Sequence, residues 1–216
     1  MPIDTRQATL EATLKLAPVV PVVVIHDRAH AVPLARALVA GGTPAIEVTL
    51  RTPVALDAIR AIAAEVDGAY VGAGTVLSPR DLDAAERAGA RFAVSPGTTP
   101  DLLDAADDSD MPLLPGAATA SEVMTLLERG YTYQKCFPAE AVGGAALLRS
   151  WAGPLPAARF CPTGGITAAN ARDYLALPNV ICVGGSWLAP RNAVEAGDWN
   201  AIEALARAAA AIKPAG

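Results

Sequence analysis

Along the chain, short runs rich in Val, Ile and Gly alternate with longer Ala- and Leu-rich stretches whose apolar residues recur at helical spacing. The alternation repeats eight times, with strand candidates at residues 19–25, 44–51, 70–75, 92–97, 112–117, 132–138, 158–164 and 180–186. Their starts fall 20 to 26 residues apart, the length of one strand–helix unit with short loops. The intervening stretches open with helix-start chemistry. Thr52-Pro53, Ser78-Pro79 with Asp81, Thr99-Pro100, and Thr119 with Glu122 each place an oxygen acceptor ahead of a first turn. Eight such units without a Pro/Ser-rich linker predict an α/β fold, a (β/α)8 TIM barrel forming a single domain over residues 1–216. An open doubly wound sheet is the alternative. An additional amphipathic segment, residues 5–16 with Asp4 as its candidate cap, precedes the first strand and is expected to cover the bottom of the barrel as an N-terminal helix. The acidic run Asp107-Asp108-Ser109-Asp110 reads as a solvated loop before the fifth strand.

In a barrel of this kind the chemistry sits at the C-terminal ends of the strands, so polar residues there carry the functional reading. In Ile46-Glu47-Val48-Thr49-Leu50-Arg51, period-2 alternation puts Glu47, Thr49 and Arg51 on one face and the apolar residues on the other. The apolar face must meet the helices, which turns the carboxylate, hydroxyl and guanidinium inward. A Glu47–Arg51 ion pair with purely structural duties is the competing reading. The sixth strand ends in Lys135, one of only three lysines among 17 basic residues, the others being Lys15 and Lys213 near the chain ends. A solvated surface position accepts either cation. A desolvated lysine, unlike an arginine, can become a neutral amine that attacks a carbonyl and forms a Schiff base. Phe137, two residues on with the same orientation, is placed to wall off water. The third strand ends Gly72-Ala73-Gly74-Thr75, where absent side chains make room and a hydroxyl points into the space. The fourth ends Ser95-Pro96-Gly97, which turn chemistry alone would also explain. The seventh and eighth strands end in Thr163-Gly164-Gly165, with a helix start expected at Thr167, and in Gly184-Gly185-Ser186. Paired glycines in those two loops let backbone N–H groups approach an anion, and these loops form the usual phosphate site of such barrels. Neither pattern is a GxGxxG, so no dinucleotide is implied.

Composition narrows the function classes. With 52% hydrophobic and 18% charged residues and a mean hydropathy of +0.32, many segments must be buried on both faces, as in a parallel sheet wrapped by helices. A net charge of -5 and a pI near 5.0 argue against general nucleic-acid binding, while local anion binding needs only a few oriented groups. No run reaches the roughly 18 apolar residues of a membrane span, and Asp4, Arg6 and Glu11 interrupt any amino-terminal apolar region, so a cytoplasmic protein without membrane contact is expected. Cys136, Cys161 and Cys182 lie in apolar runs without metal-ligand spacing and read as reduced, buried thiols. His26 and His30, at i and i+4, have no acidic partner at ligand spacing, and no metal is assigned to them.

Six ordered motifs closely resemble one family across essentially the whole chain. They are Glu47-Val48-Thr49-Leu50-Arg51, Val71-Gly72-Ala73-Gly74-Thr75-Val76-Leu77, Ser95-Pro96-Gly97, Lys135 with Phe137-Pro138-Ala139-Glu140, Phe160-Cys161-Pro162-Thr163-Gly164-Gly165-Ile166, and Gly184-Gly185-Ser186-Trp187. The family is that of the class I 2-keto-3-deoxy-6-phosphogluconate (KDPG) aldolases, which share activity with the 4-hydroxy-2-oxoglutarate (KHG) aldolases. The resemblance implies a lyase that reversibly cleaves a phosphorylated 2-keto-3-deoxy sugar acid to pyruvate and glyceraldehyde 3-phosphate, without cofactor or metal. It implies that Lys135 forms the Schiff base, Glu47 moves protons, and Arg51 and Thr75 bind the carboxylate end of pyruvate. It further implies that Pro96, Phe137 and Thr163 line the substrate, that Gly164, Gly165, Gly184, Gly185 and Ser186 hold the phosphate, and that the chain assembles as a homotrimer. Cys136 departs from the aromatic residue often found beside the lysine, but its side chain is expected to face the helices. The alternatives are a phosphate-binding barrel that isomerises or decarboxylates without a covalent intermediate, and a non-catalytic sugar-phosphate sensor.

Overall fold

The computed structural model of the chain describes residues 1–212, so Lys213 and the end of the expected 1–216 domain lie outside the described residues. The strands are β1 (Val19–Val23), β2 (Ala45–Thr49), β3 (Tyr70–Gly74), β4 (Ala93–Val94), β5 (Leu113–Leu114), β6 (Gly116–Ala117), β7 (Tyr133–Cys136), β8 (Arg159–Pro162) and β9 (Val183–Gly185). Between and around them run α1 (Ile3–Leu14), α2 (Ala31–Ala40), α3 (Ala55–Glu65), α4 (Pro79–Arg87), α5 (Pro100–Asp108), α6 (Ala120–Glu128), α7 (Gly144–Trp151), α8 (Ala171–Leu175), α9 (Arg191–Glu195) and α10 (Trp199–Ala210). Every strand falls inside an expected strand segment, and every ladder is parallel, in the orders β5-β4-β3-β2-β1-β9 and β6-β7-β8. The result is an α/β fold whose parallel sheet curls at least halfway round.

The expected fifth strand is divided at Pro115. Proline has no N–H to give a ladder, so β5 pairs with β4 on one side and β6 with β7 on the other, while the Pro115 carbonyl accepts the Lys135 N–H at 2.8 Å. The eighth expected strand, 180–186, is shorter than its apolar run suggests. Its ladder is confined to β9, with single bridges Phe160–Val180 and Thr163–Gly184 towards β8.

Two apolar layers hold the sheet. Outside it, Ile46, Val48, Val71 and Ala73 pack with Leu34, Leu38, Ile59 and Ile62 of the helices. Inside, Val20, Phe92, Val94, Leu114, Cys161 and Cys182 meet Leu10 and Leu14 of α1. The amino-terminal helix therefore plugs the interior, as expected, and truncating either leucine to alanine costs about 2–5 kcal/mol.

Four local expectations are corrected. Asp4 does not cap α1: Pro2 holds the N-cap position and Asp4 lies in the first turn. The Asp107–Asp110 segment is the anchor of α1, not merely a solvated loop. Buried Arg6 donates to the carbonyls of Asp107 (2.6 Å) and Ser109 (2.9 Å) and to the Asp107 carboxylate (3.2 Å), which also accepts the Tyr131 hydroxyl at 2.9 Å. Ser78, Thr99 and Thr119 cap their helices, the last in a reciprocal box with Glu122, but the Thr52 hydroxyl instead donates to the Ile25 carbonyl at 2.6 Å. The helix expected at Thr167 starts at Ala171, because Asn170 closes the intervening turn by accepting the Thr167 N–H at 2.7 Å.

Candidate active site

β7 directs Lys135 into the interior, and β2, next to β3 in the other ladder, directs Glu47 to the same point. The Lys135 Nζ lies 3.2 Å from Glu47 Oε1, with the two side chains 5% and 4% exposed. The expected alternative, an ion pair between Glu47 and Arg51, does not form. Arg51 is exposed and its Nε donates instead to the Thr75 hydroxyl at 3.2 Å. Room for the carboxylate comes from β3: a Cβ on Gly74 would stand 2.2 Å from Glu47 Oε1. The Phe137 ring centroid is 5.2 Å from the Lys135 ammonium, a cation–π contact on the side towards solvent-facing Pro138.

Thr75 has φ +60°, a left-handed conformation that a β-branched residue adopts only under constraint. Its strain lies next to the Arg51 guanidinium, at the end of the strand that makes room for Glu47. Pro96 is half-buried, and its backbone presses on β6, where a Cβ on Gly116 would come within 2.3 Å of the Pro96 carbonyl carbon. Thr163 is buried, and Gly184 leaves space for it, since a Cβ there would lie 2.2 Å from the Thr163 hydroxyl. The glycines after β8 and in β9 thus serve close packing. Among the described residues, the N–H groups of Gly164, Gly165, Ile166 and Ser186 have no protein acceptor. Beside Ser186 opens a cavity of about 510 Å³ walled by Val22, Val24 and His26 of the β1 end and by Pro190 and Arg191.

Lys135, Arg51, Thr75, Phe137, Thr163 and the glycine loops lie at or just past strand C-terminal ends, as the sequence pattern placed them, while Glu47 sits in the middle of β2 on its inward face. Thr49, on the same face, is spent on structure: its hydroxyl donates to the Val23 carbonyl at 3.1 Å. The Cys136 side chain sits in the outer apolar layer, and burial pushes its thiol up to about 12. His30 meets Trp199 edge-on at 5.8 Å, and among the described residues no group of three or more His, Cys, Asp or Glu side chains is placed to hold a metal.

The model of the KDPG and KHG aldolase family matches residues 10–205. The chain belongs to that family. It is 56% identical over 203 residues to the KHG/KDPG aldolase of Escherichia coli K12, covering 94% of this chain and 95% of that one. Among solved structures, the 2-keto-3-deoxy-6-phosphogluconate aldolase of Zymomonas mobilis ZM4 with 3-phosphoglycerate superposes with a TM-score of 0.91 at 50% identity, over 95% of this chain and 97% of that one. The KDPG aldolase of Legionella pneumophila, with pyruvate captured at low pH as a covalent carbinolamine, gives 0.91 at 46% identity, over 93% and 98%. Within the family frame, sequence reasoning overlooked the side chains that support the loop after β8, Asn170 and Tyr174. The Thr167-x-x-Asn170 spacing, an oxygen acceptor three residues before a second side chain able to bond back, is the signal that would have found the first.

Proposed function

We propose that the chain is a class I aldolase that reversibly cleaves 2-dehydro-3-deoxy-6-phosphogluconate to pyruvate and glyceraldehyde 3-phosphate, and also acts on 4-hydroxy-2-oxoglutarate. The observation that carries this reading is the enclosed Lys135–Glu47 pair at 3.2 Å, an amine and a proton carrier in one desolvated space. Neutral Lys135 attacks the C2 carbonyl, and loss of water from the carbinolamine gives an iminium. Glu47, directly or through water, takes the C4 hydroxyl proton as the C3–C4 bond breaks and its electrons flow into the iminium. The aldehyde leaves, the resulting enamine is protonated at C3, and hydrolysis frees pyruvate and the amine. Arg51 and Thr75 hold the pyruvate carboxylate, Pro96, Phe137 and Thr163 line the substrate, and the Gly164-Gly165 loop and the Gly184-Gly185-Ser186 end of β9, with the open N–H groups of Gly164, Gly165 and Ser186, hold the phosphate. The carbinolamine of the Legionella protein favours a covalent route over the isomerase, decarboxylase and sensor alternatives.

The same reading takes the chain as one closed (β/α)8 domain. Supporting it are Pro115, which lets one strand serve both β4 and β7, the Thr163–Gly184 bridge, and α10 packed on α2 where a Cβ at Gly41 would stand 2.4 Å from that of Ala206. A cytoplasmic homotrimer completes the proposal. Exposed Leu77 and Met124 are candidates for its contacts, which sedimentation equilibrium checks. No helix among the described residues is long and apolar enough to cross a membrane.

Two measurements test the function. Borohydride with pyruvate should modify Lys135 and neither Lys15 nor Lys213, as read by peptide mass, and labelling elsewhere would end the Schiff-base reading. The kcat/KM for the phosphorylated keto acid should exceed that of its unphosphorylated counterpart by at least ~10²-fold. Equal efficiencies would remove the phosphate site from the argument.

A further inference from the structure

The loop after β8 has two consecutive residues in left-handed conformations, Gly164 at φ +98° and Gly165 at φ +80°. Such a segment is costly to order, because glycine has the most conformational freedom to lose. Yet it is held at several points by the segment that follows Lys135. The Ala139 N–H donates to the Thr163 carbonyl at 2.8 Å and the Glu140 N–H to the Gly164 carbonyl at 3.1 Å. The Glu140 side chain lies flat against Gly165, where a Cβ would stand 2.5 Å from its Cγ.

The Glu140 carboxylate then reaches the far side of the loop. Its Oε1 accepts the hydroxyl of Tyr174, a residue only 1% exposed, and the Asn170 Nδ2 at 3.4 Å. The same Asn170 amide donates to the Gly165 carbonyl at 3.1 Å, and its Oδ1 accepts the Thr167 N–H at 2.7 Å. Three carbonyls and one N–H of the loop are therefore fastened. That leaves the N–H groups of Gly164, Gly165 and Ile166 without acceptors among the described residues. A carboxylate near a dianion site is otherwise a liability. Here the carboxylate is engaged by a buried hydroxyl and an amide, and the part assigned to it is to hold the loop's shape.

We propose that Glu140 is a positioning residue which, through Asn170 and Tyr174, holds the Thr163–Thr167 loop in the conformation that receives the substrate's phosphate. The inference rests on the phosphate reading above and adds to it what keeps the loop ready. Without this support the ordering cost falls on substrate binding and shows in KM.

The test compares phosphorylated and unphosphorylated keto acids with the unmodified enzyme and with Glu140→Ala, Glu140→Gln and Asn170→Ala. Glu140→Ala and Asn170→Ala should raise KM for the phosphorylated substrate by about 10- to 100-fold while changing kcat, the unphosphorylated substrate and pyruvate trapping on Lys135 by less than about threefold. Glu140→Gln keeps an acceptor for Tyr174 and should recover most of the lost affinity. Inorganic phosphate should lose potency as an inhibitor in parallel with the rise in KM. Loss of kcat on both substrates alike, or unchanged discrimination in Glu140→Ala, overturns the assignment. Should Glu140→Ala fail to fold, Asn170→Ala decides alone, since it leaves the Tyr174–Glu140 contact in place. An unmodified enzyme indifferent to the phosphate would instead sink the phosphate reading itself.

Discussion

Gly74→Ala perturbs the geometry of the proposed catalytic pair without replacing either member of it. The new methyl would stand 2.2 Å from Glu47 Oε1 and 2.7 Å from its Cδ, about 1 Å short of ordinary contact. The backbone cannot retreat, because Gly74 pairs in register with Thr49 and its carbonyl accepts the Leu50 N–H at 2.8 Å, while Val76 is tied to Val94 at 3.1 Å. The Glu47 side chain must therefore swing, breaking its 3.2 Å contact with Lys135. A displacement of about 1 Å at a reacting group costs on the order of 10²-fold in turnover, or ~2.7 kcal/mol. Overpacking should also cost about 1–3 kcal/mol of stability, so the activity must be normalised to folded protein. Gly72→Ala supplies the control: on the same strand and face, its Cβ would meet the Phe92 ring first, at 2.5 Å. Steady-state kinetics with both variants should show kcat reduced ~10²-fold in Gly74→Ala and largely kept in the folded fraction of Gly72→Ala. Equal losses in the two, or a Gly74→Ala enzyme of normal kcat, would refute the reasoning.

Three further outcomes follow from the same geometry. Glu47→Gln should fold normally and lower turnover by roughly 10²- to 10⁴-fold, with kcat measured beside a thermal unfolding curve; near-normal kcat would demote Glu47 to a structural partner. Thr75→Gly should relieve about 1–2 kcal/mol of left-handed strain, offset by about 0.5–1 kcal/mol of glycine entropy. Its urea midpoint should therefore stay level or rise while KM for pyruvate in the condensation direction climbs, and a clear fall in midpoint would contradict the strain assignment. Burial holds the Cys136 thiol at about 12, whereas in the unfolded chain it ionises near ~8.5. Between those values the unfolded state binds fewer protons, so this contribution to stability is intact below the lower value and is lost as pH rises towards the upper one. Cys136→Ala should accordingly show a shallower alkaline decline than the parent in urea titrations at neutral and alkaline pH, and identical slopes would exclude it as a contributor.

What was legible in the sequence was whatever a local period or a residue type could express. Period-2 alternation placed Glu47 inward, scarcity of lysine singled out Lys135, and glycine pairs marked the loops after β8 and β9. Pairings across the fold were not legible. Arg51 lies four residues from Glu47 along one strand and was the natural partner to expect. The observed partner is 88 residues away, brought near only because successive parallel strands curl the sheet until β7 faces β2. The same limit explains Thr52, whose capping sequence is local but whose hydroxyl is claimed by the Ile25 carbonyl of a neighbouring strand end. It also explains the acidic run at the end of α5, whose charge suggested solvent but which receives Arg6 from 101 residues earlier in the chain.

One short segment links the two ends of the proposed site. On the proposed reading Lys135 supplies the amine and Phe137 shields it; Pro138 and Glu140 pack under the glycine loop, where a Cβ on Gly164 would come within 3.2 Å of Pro138 Cα. Ala139 is hydrogen-bonded to Thr163 at 2.8 Å, which ties the segment carrying the amine to the loop proposed to receive the anion. Their separation is then a fixed property of the fold and not of a flexible loop. A substrate whose anionic end matches that separation places its carbonyl at Lys135 on binding, and a shorter one surrenders either the anion contact or the alignment. Binding energy gained at the remote end is thereby converted into orientation at the reacting carbon. For this reason the support beneath the loop belongs to the catalytic design as much as the residues that touch the reacting bonds.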